Sequence, residues 1–385
     1  MTDDLRVGAA CVNITPDYDV HLTGFASRTG PSDGVLDHIH ARAAVFESGG
    51  PPVVIVSLDV MDLTRADADR LRQVAAGQAG TLADRVCIAC THTHSAPAAY
   101  PLKECGERSQ RFVDDLVENV RGVVREGSGR LAPARLAAAT TELRLGLNRR
   151  GHGGRIDAED DTLRGLVATD RTGRCICAIL NYACHAVCLG GGNLKISGDW
   201  PGIACSQLEG LLGSGAVVMF MQGCCGDINP VPGLSGLGPD EATQAAQMAV
   251  VAAKTIFRDA GPSAGDARAV AESATVLLPY VEPGEHGETD MPVCLQHITL
   301  GPAEIVTLSG EVFFGIGCDI RRRTGRKDVW VAAYCNGSFG YVPTDQAMIE
   351  GGYEPDSSNY YYGRPALQPG SAELLAGAAA GLVKT

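Results

Sequence analysis

The sequence predicts an α/β fold, with mixed β-sheets flanked by helices in one large domain over residues 1–385. Two observations point there. Short apolar runs of strand length, such as Val53 to Asp59, Arg85 to Ala89 and Val217 to Gln222, alternate with amphipathic stretches of helix length. No repeat, heptad pattern or low-complexity linker divides the chain, so strands and helices share one continuous α/β unit.

The elements follow in order. Leu5 to Asn13 reads as a strand stopped at Thr15-Pro16, and a Gly-rich loop runs from Gly24 to Gly34. Residues 38–47 and 52–60 are two strands joined by Ser48-Gly49-Gly50-Pro51-Pro52, a hairpin signal. Thr64 caps a helix with Asp67 and Asp69 near its positive end. A buried strand from Arg85 leads to His92 and His94, and a second helix covers 108–126. Residues 136–148 alternate as a strand, and 163–169 with 175–183 form another hairpin. Ser197 to Gly202 opens a helix, with Asp199 or Ser197 as cap and Pro201 in the tolerated first turn. After the strand 217–222 come a Gly/Pro-rich loop, a helix over 240–259, and strands at 272–281, 292–299 and 303–308. A helix begins near Gly310-Glu311, Val329 to Tyr334 is a strand, 350–370 is an ordered loop, and Glu373 to Leu382 is a closing helix.

Composition narrows the function. A net charge of −13 disfavours nucleic acid and anionic membrane as partners, because no basic face recovers the electrostatic cost. The one basic run, Arg321-Arg322-Arg323 with Arg326 and Lys327, complements a helix C-terminus. Met1-Thr2-Asp3-Asp4 is acidic and no apolar run follows, so no signal peptide is read and the expected compartment is the cytoplasm. The fourteen cysteines then read as reduced thiols, mostly small core residues, with a redox role open for Cys224 or Cys225. The expected partner is a small molecule, and a homo-oligomer stays open.

The chemistry collects around Cys90-Thr91-His92-Thr93-His94-Ser95-Ala96-Pro97. Residues two apart on a strand point to one side, so His92 and His94 leave the strand end together and suit a divalent metal such as zinc. The alternative is a pair of histidines capping a strand end. Other strands also end in polar or ionisable residues: Asp59, His185, Asp227 and Asn229, Glu311, and Tyr341. Open α/β sheets place their sites at such ends. His92, His185 and Glu311 supply three ligands for a catalytic zinc, and Tyr341 is a less usual fourth. Asp59 and Asp227 read either as carboxylates that orient a ligand histidine or as turn and cap groups. His38 and His40 also lie two apart but read as structural. His21, His152, His286 and His297 have no companion ligands.

These signatures resemble the neutral ceramidase family, in particular its amidase domain. The matching stretches are Thr91 to Pro97, Asn148-Arg149, Ala183-Cys184-His185-Ala186-Val187, Ser197 to Gly202, Gly226-Asp227-Ile228-Asn229-Pro230, Gly310-Glu311, and Asn336 through Tyr341-Val342-Pro343-Thr344 to Tyr353-Glu354. They fall in the family's order from residue 6 to about 355. The resemblance implies one zinc per chain, held by His92, His185, Glu311 and Tyr341. It implies that His94 contacts the reacting carbonyl, and that Arg149 and Tyr353 help hold the amide and its oxyanion. Ceramidases carry a serine where this chain has Asn229, so zinc-activated water is the expected attacking group. The chain is also too short for the family's C-terminal β-sandwich domain, and only 5% of its residues are aromatic. The expected activity is therefore hydrolysis of an amide bond in a small, polar substrate. His94 or a water held by Asp227 would protonate the leaving amine, and Arg149 would bind a substrate carboxylate or carbonyl. The alternatives are a metal-dependent enzyme that forms an amide or lactam or transfers an acyl group, and a non-catalytic relative.

Overall fold

The strands that lead to Asp59, His92 and His185 belong to an eight-stranded sheet. The computed structural model describes residues 5–150, 161–213, 215–260 and 268–383. From edge to edge the strands are Val217–Gln222, Cys175–Tyr182, Thr162–Asp170, Ala132–Glu142, Arg6–Asn13, His40–Glu47, Val53–Leu58 and Val86–Cys90. The outermost pair at each edge is parallel and the interior pairs are antiparallel, which makes the sheet mixed as expected.

Period-two burial decides what lies on each face. Val54, Val56 and Leu58 face one core, whereas Val53 and Ile55 face another. Four helices cover the first face: Arg65–Ala79, Gln110–Gly129, Asp199–Leu212 and Pro239–Asp259. The second face packs on a four-stranded sheet, ordered Ala269–Pro279, Asp290–Leu300, Ala303–Leu308 and Trp330–Ala332. Helices Phe314–Thr324 and Ser371–Val383 cover the outside of that smaller sheet. The layers thus run helix, sheet, sheet, helix. Strands buried on both faces read as unbroken apolar runs, which is why Val217–Gln222 contains no alternation.

Several expectations are corrected. The strand read at 136–148 ends at Glu142, and a separate short strand, Gly146–Asn148, pairs with Ile228–Pro230. Between them the Tyr182 hydroxyl donates to Leu143 O and accepts from the Leu145 and Gly146 N–H groups, so the chain turns away from the large sheet. The stretch 350–370 is not simply a loop: Tyr353–Ser357 forms a π-helical turn and Ser358–Tyr362 a short helix. Ser358 Oγ and Asn359 Nδ2 bond back to the Glu354 and Pro355 carbonyls and stabilise those turns. Glu311 caps no helix but sits in a two-residue strand, with the following helix starting at Phe314. Helix Asp199–Leu212 has Gly198 at its cap and no side-chain cap bond. Thr64 does cap its helix, accepting from Asp67 N–H. All fourteen cysteines are free thiols, and among the described residues no helix is long and apolar enough to cross a membrane.

One buried ion cluster ties the large sheet to its helices. Arg42, on a central strand, donates to Asp59 at 2.9 Å, to Glu209 at 2.8 Å and to Ser206 at 3.1 Å. Asp59 also accepts from His40 N–H, so this acid is structural and not a site residue. Removing one partner of a buried pair strands the other charge. Arg42→Leu is expected to lower unfolding stability by about 3–5 kcal/mol in denaturant titration. A loss under about 1 kcal/mol, the size of an exposed pair, would contradict this reading.

Candidate active site

The strand Val86–Cys90 stops before the histidines, and the backbone then changes conformation. Thr91 N–H donates to Leu58 O and His92 N–H to Val60 O, while His92 itself takes a left-handed φ of 63°. Strand alternation is therefore not what brings His92 and His94 together, as the sequence had suggested; a local kink does. Thr93 instead bridges to Ala186, and His94 N–H donates to Ala186 O, which joins this segment to the one carrying His185. Asp199, Tyr334 and Asn336 are also non-glycine residues with positive φ near this locus. Such conformations cost about 1–3 kcal/mol each and persist where surrounding contacts over-determine them.

Gln222, fully buried at the end of its strand, is one such contact. Its amide nitrogen donates to Thr91 O and Cys184 O, and its amide oxygen accepts from the Cys184 and Gly223 N–H groups. One side chain thus fastens both histidine-bearing segments to the sheet. Trp200 Nε1 adds a bond to His185 O, and Asp199 accepts from the Cys188, Leu189 and Trp200 N–H groups. Asp199 therefore clamps the loop behind His185 and is not a ligand.

The ring geometry decides what the imidazoles can do. His92 Nδ1 faces Met61 O at 3.0 Å, His185 Nδ1 faces Ile228 O at 3.0 Å, and His94 Nδ1 faces Gly24 O at 3.2 Å. A carbonyl only accepts, so each Nδ1 carries the proton and each neutral ring presents a lone pair at Nε2. His92 Nε2 lies 3.2 Å from His94 Nε2 and 3.2 Å from Glu311 Oε2. His185 Nε2 lies 3.4 Å from the same Glu311 oxygen and makes no hydrogen bond among the described residues. The three histidines' ligand atoms all lie within 4.8 Å of one another. Nitrogen and oxygen donors about 2.0–2.1 Å from a tetrahedral zinc stand about 3.3 Å apart, so these spacings match the edges of such a site. The donors fit a divalent cation.

Electrostatics agree. Burial pulls His92 down, but Glu311 and Asp62 outweigh it and its pKa is raised. Burial, then His92 and His185, hold His94 well below the usual imidazole range. Burial lowers His185 to about 4. Burial alone would raise Glu311, yet the two histidines hold its carboxyl well below the usual range. The locus therefore presents a carboxylate with His94 and His185 neutral beside it, while Glu311 and Asp62 favour positive charge at His92.

Tyr341 stands beside Glu311 because their short strands pair in register. Its hydroxyl accepts from Arg149 at 3.2 Å, and burial pushes its pKa up. Arg149 also donates to Glu354, Asn229 Oδ1 and Gly226 O. With those partners it holds Tyr341 and Asn229 in place. Asp227 makes the contacts of the turn-and-cap alternative read for it. Its carboxylate accepts from the Phe314 N–H and from Asn148, which ties a helix start to the segment that carries Arg149. Tyr353 lies at the rim, 46% exposed, its ring 5.8 Å from that of Tyr341.

Several residues here carried no readable signal. Tyr362 donates to Glu311 Oε1 and lies 3.4 Å from an Asp62 oxygen, and Tyr334 reaches Glu311 Oε2 at 3.5 Å while stacking on His92. Buried Asp62 lies 3.8 Å from His92 Nδ1, three residues beyond the acid that the strand pattern had singled out. Cys225 meets the Tyr334 hydroxyl, and burial pushes its thiol well up, which disfavours a reactive thiolate. His38 bonds Thr15 and His297 pairs with Glu304, both away from the cluster, and His152 lies outside the described residues.

The family model for neutral/alkaline non-lysosomal ceramidase, N-terminal, matches residues 5–245. The chain belongs to this family. The match includes His92, His94, Arg149, His185, Asp227 and Asn229 and ends before Glu311, Tyr341 and Tyr353. The structure of neutral ceramidase from Pseudomonas aeruginosa is 20% identical, covering all of this chain and 74% of that one with a TM-score of 0.84. A ceramidase complexed with C2 is 18% identical, covering 99% of this chain and 75% of that one with a TM-score of 0.81. These likenesses establish the shared fold. No curated protein matches.

Gly24 takes a φ of +98°, and a Cβ there would lie 2.4 Å from His94 Nδ1. Nitrogen-15 NMR of the histidines is expected to show His92, His94 and His185 protonated at Nδ1. Gly24→Ala should remove that signature from His94 alone. Nε2–H tautomers in the unaltered protein would contradict the geometry.

Proposed function

We propose that the chain is a zinc-dependent hydrolase of an amide bond in a small, polar substrate. The observation that carries this reading is the convergence of His92 and His185 Nε2 on one buried Glu311 oxygen, with His94 Nε2 3.2 Å from that of His92. An all-nitrogen-and-oxygen donor set of this size suits zinc. Membership of the ceramidase family supports amide cleavage as the reaction.

His92, His185 and Glu311 would hold the ion, with Tyr341 and His94 flanking it. A zinc ion supplies Lewis acidity there, polarising a carbonyl and acidifying a water. The chain's residues do the rest. Asn229 has no nucleophilic atom, so the attacking group is water. His94 presents a lone pair at Nε2, which suits it to take a proton from that water and return it to the leaving amine. This replaces the oxyanion contact expected of His94, since a ring whose proton sits at Nδ1 has none to offer at Nε2. Tyr353 carries the hydroxyl at the rim that can donate to the developing oxyanion, and Arg149 steadies Tyr341. Losing one such donor typically costs about 10²–10³ in rate. The fourteen free thiols support a reducing compartment, and we assign the protein to the cytoplasm on that ground.

Elemental analysis of protein purified without chelator should find one zinc per chain, falling to near zero in His185→Ala and His92→Ala. Chelation should abolish cleavage of a panel of short N-acyl amides, and zinc should restore it. Full activity in metal-free protein would remove the proposal.

A further inference from the structure

We propose that Arg28 recognises a carboxylate on the substrate, so that the preferred substrates are amides bearing one negative charge close to the scissile bond. The inference rests on the amidase reading of the neighbouring site and names its substrate class.

The loop that holds His94 also carries Arg28. Gly24 supplies the carbonyl that accepts from His94, Phe25 packs on the His94 ring with centroids 5.1 Å apart, and the Arg28 guanidinium lies 5.0 Å from the Phe25 ring. Arg28 donates from Nε to Asn193 O at 2.9 Å, from one terminal nitrogen to Thr23 O at 2.6 Å, and from the other to Ser95 Oγ at 3.5 Å. All three acceptors are neutral. No carboxylate lies within ion-pair distance of Arg28 among the described residues. The acid whose field it feels, Asp199, already accepts three backbone N–H groups. Burial lowers the Arg28 pKa to about 10, so the group remains charged at neutral pH.

A half-buried cation without a counter-ion is costly, and one placed beside a reactive centre is a candidate for binding. A guanidinium has five N–H groups and three are used, which leaves one on each terminal nitrogen. That pair fits the two oxygens of a carboxylate. A single guanidinium balances a single negative charge, which favours a carboxylate over a phosphate dianion. Arg149 offers no such pair, because four of its five N–H groups are taken by Glu354, Asn229, Gly226 and Tyr341, and Glu354 already balances its charge. The rival explanation is that Arg28 only fastens its loop.

The test compares zinc-loaded wild type, Arg28→Lys and Arg28→Gln on two matched pairs. One pair is N-acetyl-phenylalanine against N-acetyl-phenethylamine, and the other is succinic monoanilide against butyranilide. The wild type should prefer the acid in one pair at least. Arg28→Gln should raise the KM of that acid about ten- to a hundredfold, the range for a charged hydrogen bond, and leave the neutral partner within about twofold. Arg28→Lys should recover part of the preference. Equal losses on acid and neutral members would assign Arg28 to loop fastening and overturn the inference, as would a wild type indifferent to the charge. Thermal melts confirm that each variant is folded. Calorimetric binding of the same acids separates the two readings. Arg28-dependent binding without any turnover keeps the anion site and removes the amidase. Turnover of neutral amides without Arg28-dependent binding does the reverse.

Discussion

Three imidazoles are pinned by backbone carbonyls at Nδ1; His92 and His185 turn Nε2 toward the same Glu311 oxygen, and His94 turns Nε2 toward that of His92. Lone pairs and a carboxylate at such spacings repel, and no water-like dielectric is present to weaken the effect. A positive charge at their centre converts the repulsion into attraction. The remaining features of the site follow from holding that arrangement. Gln222 fixes the two histidine segments, Asp199 and Trp200 brace the loop behind His185, and Tyr334 and Tyr362 bond the carboxylate of Glu311.

The fold makes this possible by bringing the ends of distant strands to one place. His92 follows the last strand of the eight-stranded sheet, whereas His185 follows a strand near the opposite edge. Gln222 closes the distance between them, since its strand ends between the two segments. Glu311 and Tyr341 arrive from the side of the smaller sheet, paired in register by a separate two-stranded ladder. The two histidines therefore depend on the eight-stranded sheet and Glu311 with Tyr341 on the separate ladder, so disturbing either moves one pair of donors relative to the other. Arg28 enters from a loop that belongs to no layer, which suits a residue that meets the substrate rather than the ion.

Much of the architecture was legible in the sequence, because buried strands are apolar runs and the helices carry their caps. The runs at Val53 and Val217 and the cap at Thr64 correspond to what forms. His92, His94 and His185 were legible from residue type at strand ends, and Glu311 and Tyr341 from the same pattern together with the family resemblance. What failed depended on tertiary contacts. Nothing local distinguishes Asp62, which meets His92, from Asp59, which meets Arg42. Asp227 looked like an active-site acid but satisfies the start of a helix formed far along the chain. Which ring nitrogen of His94 faces Gly24 is likewise a matter of geometry rather than spacing. The helical turns at 353–362 were hidden by a Gly-, Tyr- and Pro-rich composition that reads as loop.

An anomalous-scattering map of crystals grown with zinc addresses the convergence most directly. One peak is expected about 2.0–2.1 Å from His92 Nε2, His185 Nε2 and a Glu311 carboxylate oxygen together. A map with no peak among those three atoms, or with zinc bound only elsewhere on the chain, would contradict it.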